Sequence, residues 1–151
     1  AITGRTSEHA RLRELGAVDI LSREDFSRDS KPLESTRFAG AIDTVGGQVL
    51  STLITQTRYN GVIAATGNAG GFKLNTTVFP FILRNIRLQG VDSVHAPTQT
   101  RERAWQLLSE NVTIEQIDSI TATIGLLEVE KMAEKLIKNQ ISGRILIDVQ
   151  N

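Results

Sequence analysis

Residues 39–71, AGAIDTVGGQVLSTLITQTRYNGVIAATGNAGG, decide how this chain is built. An apolar run, AGAIDTV (39–45), stops at Gly46 and Gly47. Val49, Leu50, Leu53 and Ile54 then fall at helical spacing within VLSTLITQTRY (49–59), and a second apolar run, GVIAATG (61–67), follows. Continuous apolar runs bounded by glycine and joined by an amphipathic helix predict parallel strands, buried on both faces by crossover helices. Asp43 lies inside the first run, where burial obliges a carboxylate to find local hydrogen-bond partners.

The same alternation extends in both directions. Towards the amino terminus, VDIL (18–21) reads as a strand followed by a polar loop to about residue 37, and AIT (1–3) reads as the end of a buried strand. Ser7 is a candidate cap for a helix carrying Leu12 and Leu15, and Gly16 stands where a left-handed terminator is wanted. A chain that opens inside a strand, without an initiator methionine, is expected to be a piece of a longer one. Towards the carboxyl terminus come the glycine-rich loop NAGG (68–71), a helix around 78–85 with Pro80 in its first turn, and a strand over IRLQGVDSV (86–94). A helix over about 99–110 follows, with Trp105, Leu107 and Leu108 expected in the core. The tail reads ITATI (120–124), an amphipathic helix over 128–140 and a strand RILIDV (144–149) after Gly143. The expected fold class is therefore α/β: a Rossmann-type open parallel sheet with flanking helices.

Composition excludes several classes of function. Lysine plus arginine and aspartate plus glutamate each number 17, so no net field holds nucleic acid or an anionic membrane. With no cysteines there is no disulfide, thiolate nucleophile or cysteine-ligated zinc, and two distant histidines, His9 and His95, do not make a metal site. The apolar runs are strand-sized and no basic region precedes an apolar core at the amino terminus, so neither a membrane span nor a signal peptide is expected. A cytoplasmic location is the default. No serine–histidine–acid pattern and no phosphate-binding loop of the Walker type occurs.

In an open parallel sheet, ligands bind beyond the carboxyl ends of the strands. After the first strand comes Thr3-Gly4-Arg5. A carboxylate at that position takes the ribose hydroxyls of NAD, whereas an arginine accommodates the extra phosphate of NADP, and a guanidinium matches phosphate oxygens in a forked geometry. Arg5 thus favours NADP, with Thr3, Thr6 and Ser7 as hydroxyl donors; a solvated Arg5 beside a helix cap is the plain alternative. Arg23 follows the next strand and either flanks the same phosphate or sits on the surface beside Glu24 and Asp25. The loop Thr66–Gly71 either offers backbone donors and acceptors to a flat carboxamide or is a simple turn. His95, beyond the strand at 86–94, is a surface residue or faces a ligand cleft.

Taken in order, TGR, GAIDTVGG, ATGNAGGF, FPFILRNIRLQGVDSV and NQISGRILIDV resemble successive landmarks of the zinc-independent medium-chain dehydrogenase/reductase superfamily, in its acrylyl-CoA reductase and YhdH-type quinone oxidoreductase branch. The resemblance covers nearly the whole chain, and FILRNIRLQGVDSV is its most specific piece. It implies a nucleotide-binding part of a two-domain, NADPH-dependent reductase whose first Rossmann strand and glycine-rich pyrophosphate loop lie upstream of Ala1. Residues 1–110 would be the NADP-binding Rossmann domain, and 111–151 a segment returning to a GroES-like catalytic domain. Thr3, Gly4 and Arg5 would hold the 2′-phosphate with Arg23 nearby. Asn68 and Ala69 would meet the nicotinamide half, Ile82 and Ser93 would line the same cleft, and Arg144 would be a late cofactor-binding arginine.

The activity implied is hydride transfer from NADPH to an activated double bond such as acrylyl-CoA, or to a quinone. A stand-alone dinucleotide-binding or interaction module without catalysis is the competing reading. The partner expected is a small molecule rather than nucleic acid or membrane, with a homodimer through an exposed sheet edge or through the strand preceding the last helix. Catalytic residues are not assigned, and no metal is expected.

Overall fold

The computed structural model describes residues 1–138 and 140–150. By contact the chain divides into Ala1–His95 and Ala96–Asn151.

The first unit runs β1 (Ile2–Thr3), α1 (His9–Glu14), β2 (Leu21–Ser22), β3 (Phe38–Asp43), α2 (Gly47–Gln56), β4 (Thr57–Ala65), α3 (Phe79–Arg84) and β5 (Arg87–Gly90). Every pairing is parallel, but the strands form two sheets, β1-β2 and β3-β4-β5. These are the pairings of the doubly wound order 3-2-1-4-5-6 with its first strand left out, β1 and β2 taking the second and third places. Phe26, Ile54, Ile63 and Ile86 form one core beneath both sheets, with Ile2 and Leu21 packed against it.

Helix α2 is enclosed more completely than its pattern predicts. All residues from Val49 to Gln56 are buried, including Ser51, Thr52, Thr55 and Gln56. The segment before β3 wraps the polar side: Glu34 N donates to Thr55 O and Arg37 N to Gln56 O. The hydroxyls are satisfied locally, Thr55 Oγ1 donating to Thr52 O at 2.8 Å and Ser51 Oγ to Gly47 O at 3.1 Å. The helix also ends at Gln56 rather than 59, and β4 starts four residues earlier than the apolar run, with a register shift between Phe38 and Gly40.

On β3 the expectation of two covered faces fails at Ile42, which is 79% exposed. Gly16 does terminate the first helix, with φ +96 and its N–H on Arg13 O. Ser7 does not cap it; it lies inside a 3-10 turn, Thr6–Glu8, that leads into α1. Strand β5 stops at Gly90 rather than 94 because Asp92 turns the chain, its Oδ1 accepting from Val94 N at 2.9 Å and His95 N at 3.1 Å.

The second unit contains α4 (Thr98–Asn111), α5 (Ile114–Ser119), β6 (Thr121–Gly125), α6 (Val129–Ile137) and β7 (Arg144–Asp148), with β6 and β7 paired in parallel. Helix α5 was not expected, although Thr113 and Gln116 form a capping box that the sequence spells out. Of the helix expected over 128–140, Asn139 lies outside the described residues. Trp105 is 66% exposed, and Leu107 and Leu108 are also exposed, against the expectation of core packing. No residue of α4 is buried; in this unit Ile124 is the one buried hydrophobic among the described residues, so there is no core for them to enter.

Candidate functional site

Parallel pairing of Ile2 with Leu21 and Thr3 with Ser22 makes the segments after β1 and β2 leave the same sheet edge. Thr3 Oγ1 accepts from Arg5 N at 3.1 Å, and Arg5 is extended, half-buried and next to the turn at Thr6–Glu8. Ser22 Oγ accepts from Glu24 N and starts a 3-10 turn, Arg23–Phe26, which sets Arg23 at the tip of β2.

A Cβ built on Gly4 would sit 3.0 Å from Arg23 Nη2 and 3.3 Å from its Cζ and Nε. The guanidinium therefore lies against the Gly4 backbone, and any larger residue would displace it. Thr3, Gly4, Arg5 and Arg23 are thus brought together, with two guanidinium-bearing residues on adjacent strand ends. Such a set suits a phosphate dianion, because each guanidinium offers paired N–H donors to its oxygens. The residues fit the adenosine 2′-phosphate of NADP.

The glycine-rich segments after β3 and β4 prove to be one construction. Asp43 is 2% exposed, its Oδ1 accepting from Val45 N at 3.3 Å and its Oδ2 from Gly46 N at 2.9 Å. The neighbouring loop is laced onto this turn: Thr66 N donates to Asp43 O, Ala69 N to Thr44 O and Gly70 N to Val45 O. Gly46 bridges Gly71 in parallel fashion, so the pairing continues beyond the strands.

This lacing alters the expected role of the loop. The N–H groups of Ala69, Gly70 and Gly71 all donate within it or to the adjoining turn, so they are not aimed at a ligand. What the loop turns outward is an exposed segment carrying Asn68 and Ala69.

Gly90 pairs with Ala65 and Val91 N donates to Ala65 O, which sets the turn at 91–95 beside the loop at 66–71. Ser93 is exposed on that turn. Ile82 is 71% exposed on α3. Arg144 opens β7 in the second unit, where its Nη1 donates to Gly143 O at 3.1 Å.

One feature of this edge was not anticipated. His95 Nδ1 lies 2.8 Å from Asp92 Oδ2, and the N–H and imidazole of His95, with Val94 N, hold the Asp92 carboxyl below its ordinary range. The i, i+3 spacing of Asp92 and His95 was the available signal. Among the described residues no group of three or more His, Cys, Asp or Glu could hold a metal ion, and no helix is long and apolar enough to cross a membrane.

Comparison with known proteins agrees with the landmarks read from the sequence. The chain is 49% identical over 149 residues to "Probable acrylyl-CoA reductase AcuI" of Escherichia coli, covering 99% of this chain and 46% of that protein. The crystal structure of E. coli YhdH with bound NADPH superposes with a TM-score of 0.93 at 49% identity, covering 97% of this chain and 45% of that one. Bacillus subtilis YhfP, crystallised with NAD, superposes with a TM-score of 0.92 at 34% identity over 99% of this chain and 46% of its own. No family model matches. The chain spans about half the length of the curated relatives it matches. These relatives bear out the resemblance to the acrylyl-CoA reductase and YhdH branch, and with it the Rossmann-type fold.

Proposed function

We propose that this chain is the nucleotide-binding part of an NADPH-dependent reductase acting on an activated double bond such as that of acrylyl-CoA, or on a quinone. The observation that carries the reading is the Arg23 guanidinium laid against Gly4 beside Arg5, at the shared tip of β1 and β2. Thr3, Gly4, Arg5 and Arg23 hold the 2′-phosphate; Thr3 spends its oxygen on Arg5 N and so fixes the turn that carries the arginine. Asn68 and Ala69 meet the carboxamide end of the nicotinamide, Ile82 and Ser93 line the cleft around it, and Arg144 adds a cofactor contact.

The bound cofactor supplies the hydride, while the protein orients it and excludes competing reactions. In the same reading residues 1–110 form the NADP-binding part and 111–151 return to a catalytic domain. The whole protein is cytoplasmic and takes a small-molecule substrate, and two copies pair through an exposed sheet edge.

The test is calorimetric titration of the full-length protein with NADPH and NADH. Arg5→Ala removes charge-assisted hydrogen bonds worth about 1.5–3 kcal/mol, so NADPH affinity should fall roughly 10- to 150-fold while NADH binding stays unchanged. Equal affinity of the unaltered protein for the two cofactors would overturn the phosphate assignment. Turnover of acryloyl-CoA against a panel of quinones identifies the acceptor.

A further inference from the structure

We infer that Asp43 is a positioning residue for hydride transfer: through the turn it holds, it sets the location of the Asn68–Ala69 segment. The inference rests on the cofactor reading above, and it concerns a carboxylate to which no role in that reading falls.

Asp43 ends β3 with its carboxylate buried, on two backbone N–H groups, Val45 and Gly46. Those bonds close the turn Thr44–Gly46, from which α2 departs with Gly46 as its cap, at φ +67. Both carboxylate oxygens thus sit at the amino-terminal end of the ten-residue helix.

The carbonyls of the closed turn then receive the next loop. Thr44 O accepts from Ala69 N at 3.3 Å and Val45 O from Gly70 N at 2.7 Å. Asp43 O takes Thr66 N at 2.8 Å and Thr66 Oγ1 at 3.0 Å. One residue thus fixes its own turn with its side chain and its neighbour's loop with its main chain.

The contact between the two loops leaves little room for movement. A Cβ on Gly67 would come within 2.8 Å of Thr44 O, one on Gly70 within 2.8 Å of Val45 Cγ1, and one on Gly46 would run into Gly71 O. A rotation of the 44–46 turn therefore moves Asn68 and Ala69 with it. Arg5 and Arg23 follow β1 and β2 of the other sheet, and neither takes part in the hydrogen bonds that lace these two loops together.

The test uses the full-length protein with Asp43→Asn, a near-isosteric change that replaces one of the two acceptors by an NH2 group. Binding of 2′,5′-ADP, which carries the phosphate but no nicotinamide, should stay within about twofold of the unaltered protein, because the sites are separate. At saturating NADPH, kcat should fall about 10- to 100-fold, as misplacement of reacting groups by about an ångström predicts. The primary isotope effect with NADPH deuterated at the transferred position should rise as hydride transfer becomes limiting.

An unchanged kcat and isotope effect would overturn the inference. So would a loss of kcat matched by an equal loss of 2′,5′-ADP binding, since that is general unfolding. If the unaltered protein does not bind 2′,5′-ADP, the phosphate assignment fails, and Asp43 is judged on kcat and the isotope effect alone.

Discussion

Replacing Glu34 with glutamine strikes both an ion pair within the segment before β3 and the carboxylate that takes the Gln56 amide at the end of α2. Glu34 accepts Arg28 Nη1 at 2.8 Å and Nη2 at 2.7 Å, Gln56 Nε2 at 2.9 Å and Lys31 N at 3.2 Å. The bidentate guanidinium, then the Gln56 amide and the Lys31 N–H, outweigh burial and bring its carboxyl from 4.5 down to about 2. A shift of that size corresponds to at most about 3.4 kcal/mol. Arg28 is 47% exposed, so solvent and salt screen the pair, and about 1–2 kcal/mol is expected to survive.

Because the folded pKa lies below the unfolded one, this stabilisation is complete above about pH 4.5 and is lost as the pH falls through about 2. Urea unfolding of the protein and of Glu34→Gln should give midpoints about 0.5–1 M apart at pH 7 for a slope of about 2 kcal/mol/M. At pH 2.5 the charge-linked difference should shrink to about a quarter. Equal midpoints at pH 7, or a difference that does not change with pH, would refute the reasoning.

Two further substitutions probe the β1–β2 edge and the packing of α3 on α2. Gly4→Ala puts a methyl group 3.0 Å from Arg23 Nη2 and should weaken NADPH binding about fivefold, near 1 kcal/mol, with NADH unaffected; an intact preference in parallel titrations would separate Arg23 from phosphate binding. Arg84 ties α3 to the end of α2, its Nη1 donating to Thr55 O at 2.6 Å and its Nη2 to Glu34 O at 2.6 Å. Arg84→Ala should therefore cost about 2–4 kcal/mol in chemical denaturation, and Arg84→Lys less, since one donor group remains; equal losses would show that the forked geometry is irrelevant.

Much of this molecule is legible from local pattern. The glycine-bounded runs at 39–45 and 61–67 give parallel strands joined by a helix, Pro80 stands in the first turn of α3, and Gly16 ends α1. Other features were hidden because they depend on what lies across space rather than along the chain. Nothing in VLSTLITQ says that a distant polar segment covers its serine and threonine side, and nothing in the spacing of Trp105, Leu107 and Leu108 says that their unit has no core to receive them.

Side-chain periodicity, and the places where glycine interrupts it, carry the order of the elements apart from α5, the parallel sense of the strands and which loops leave the carboxyl edge. Folding in three dimensions laid Arg23 on Gly4, made the turn closed by Asp43 the support of its neighbour's loop, and divided the strands of the first unit into two sheets. Each of these depends on contacts between different elements, and local propensity carries no information about which partner a guanidinium, a loop or a strand edge will meet.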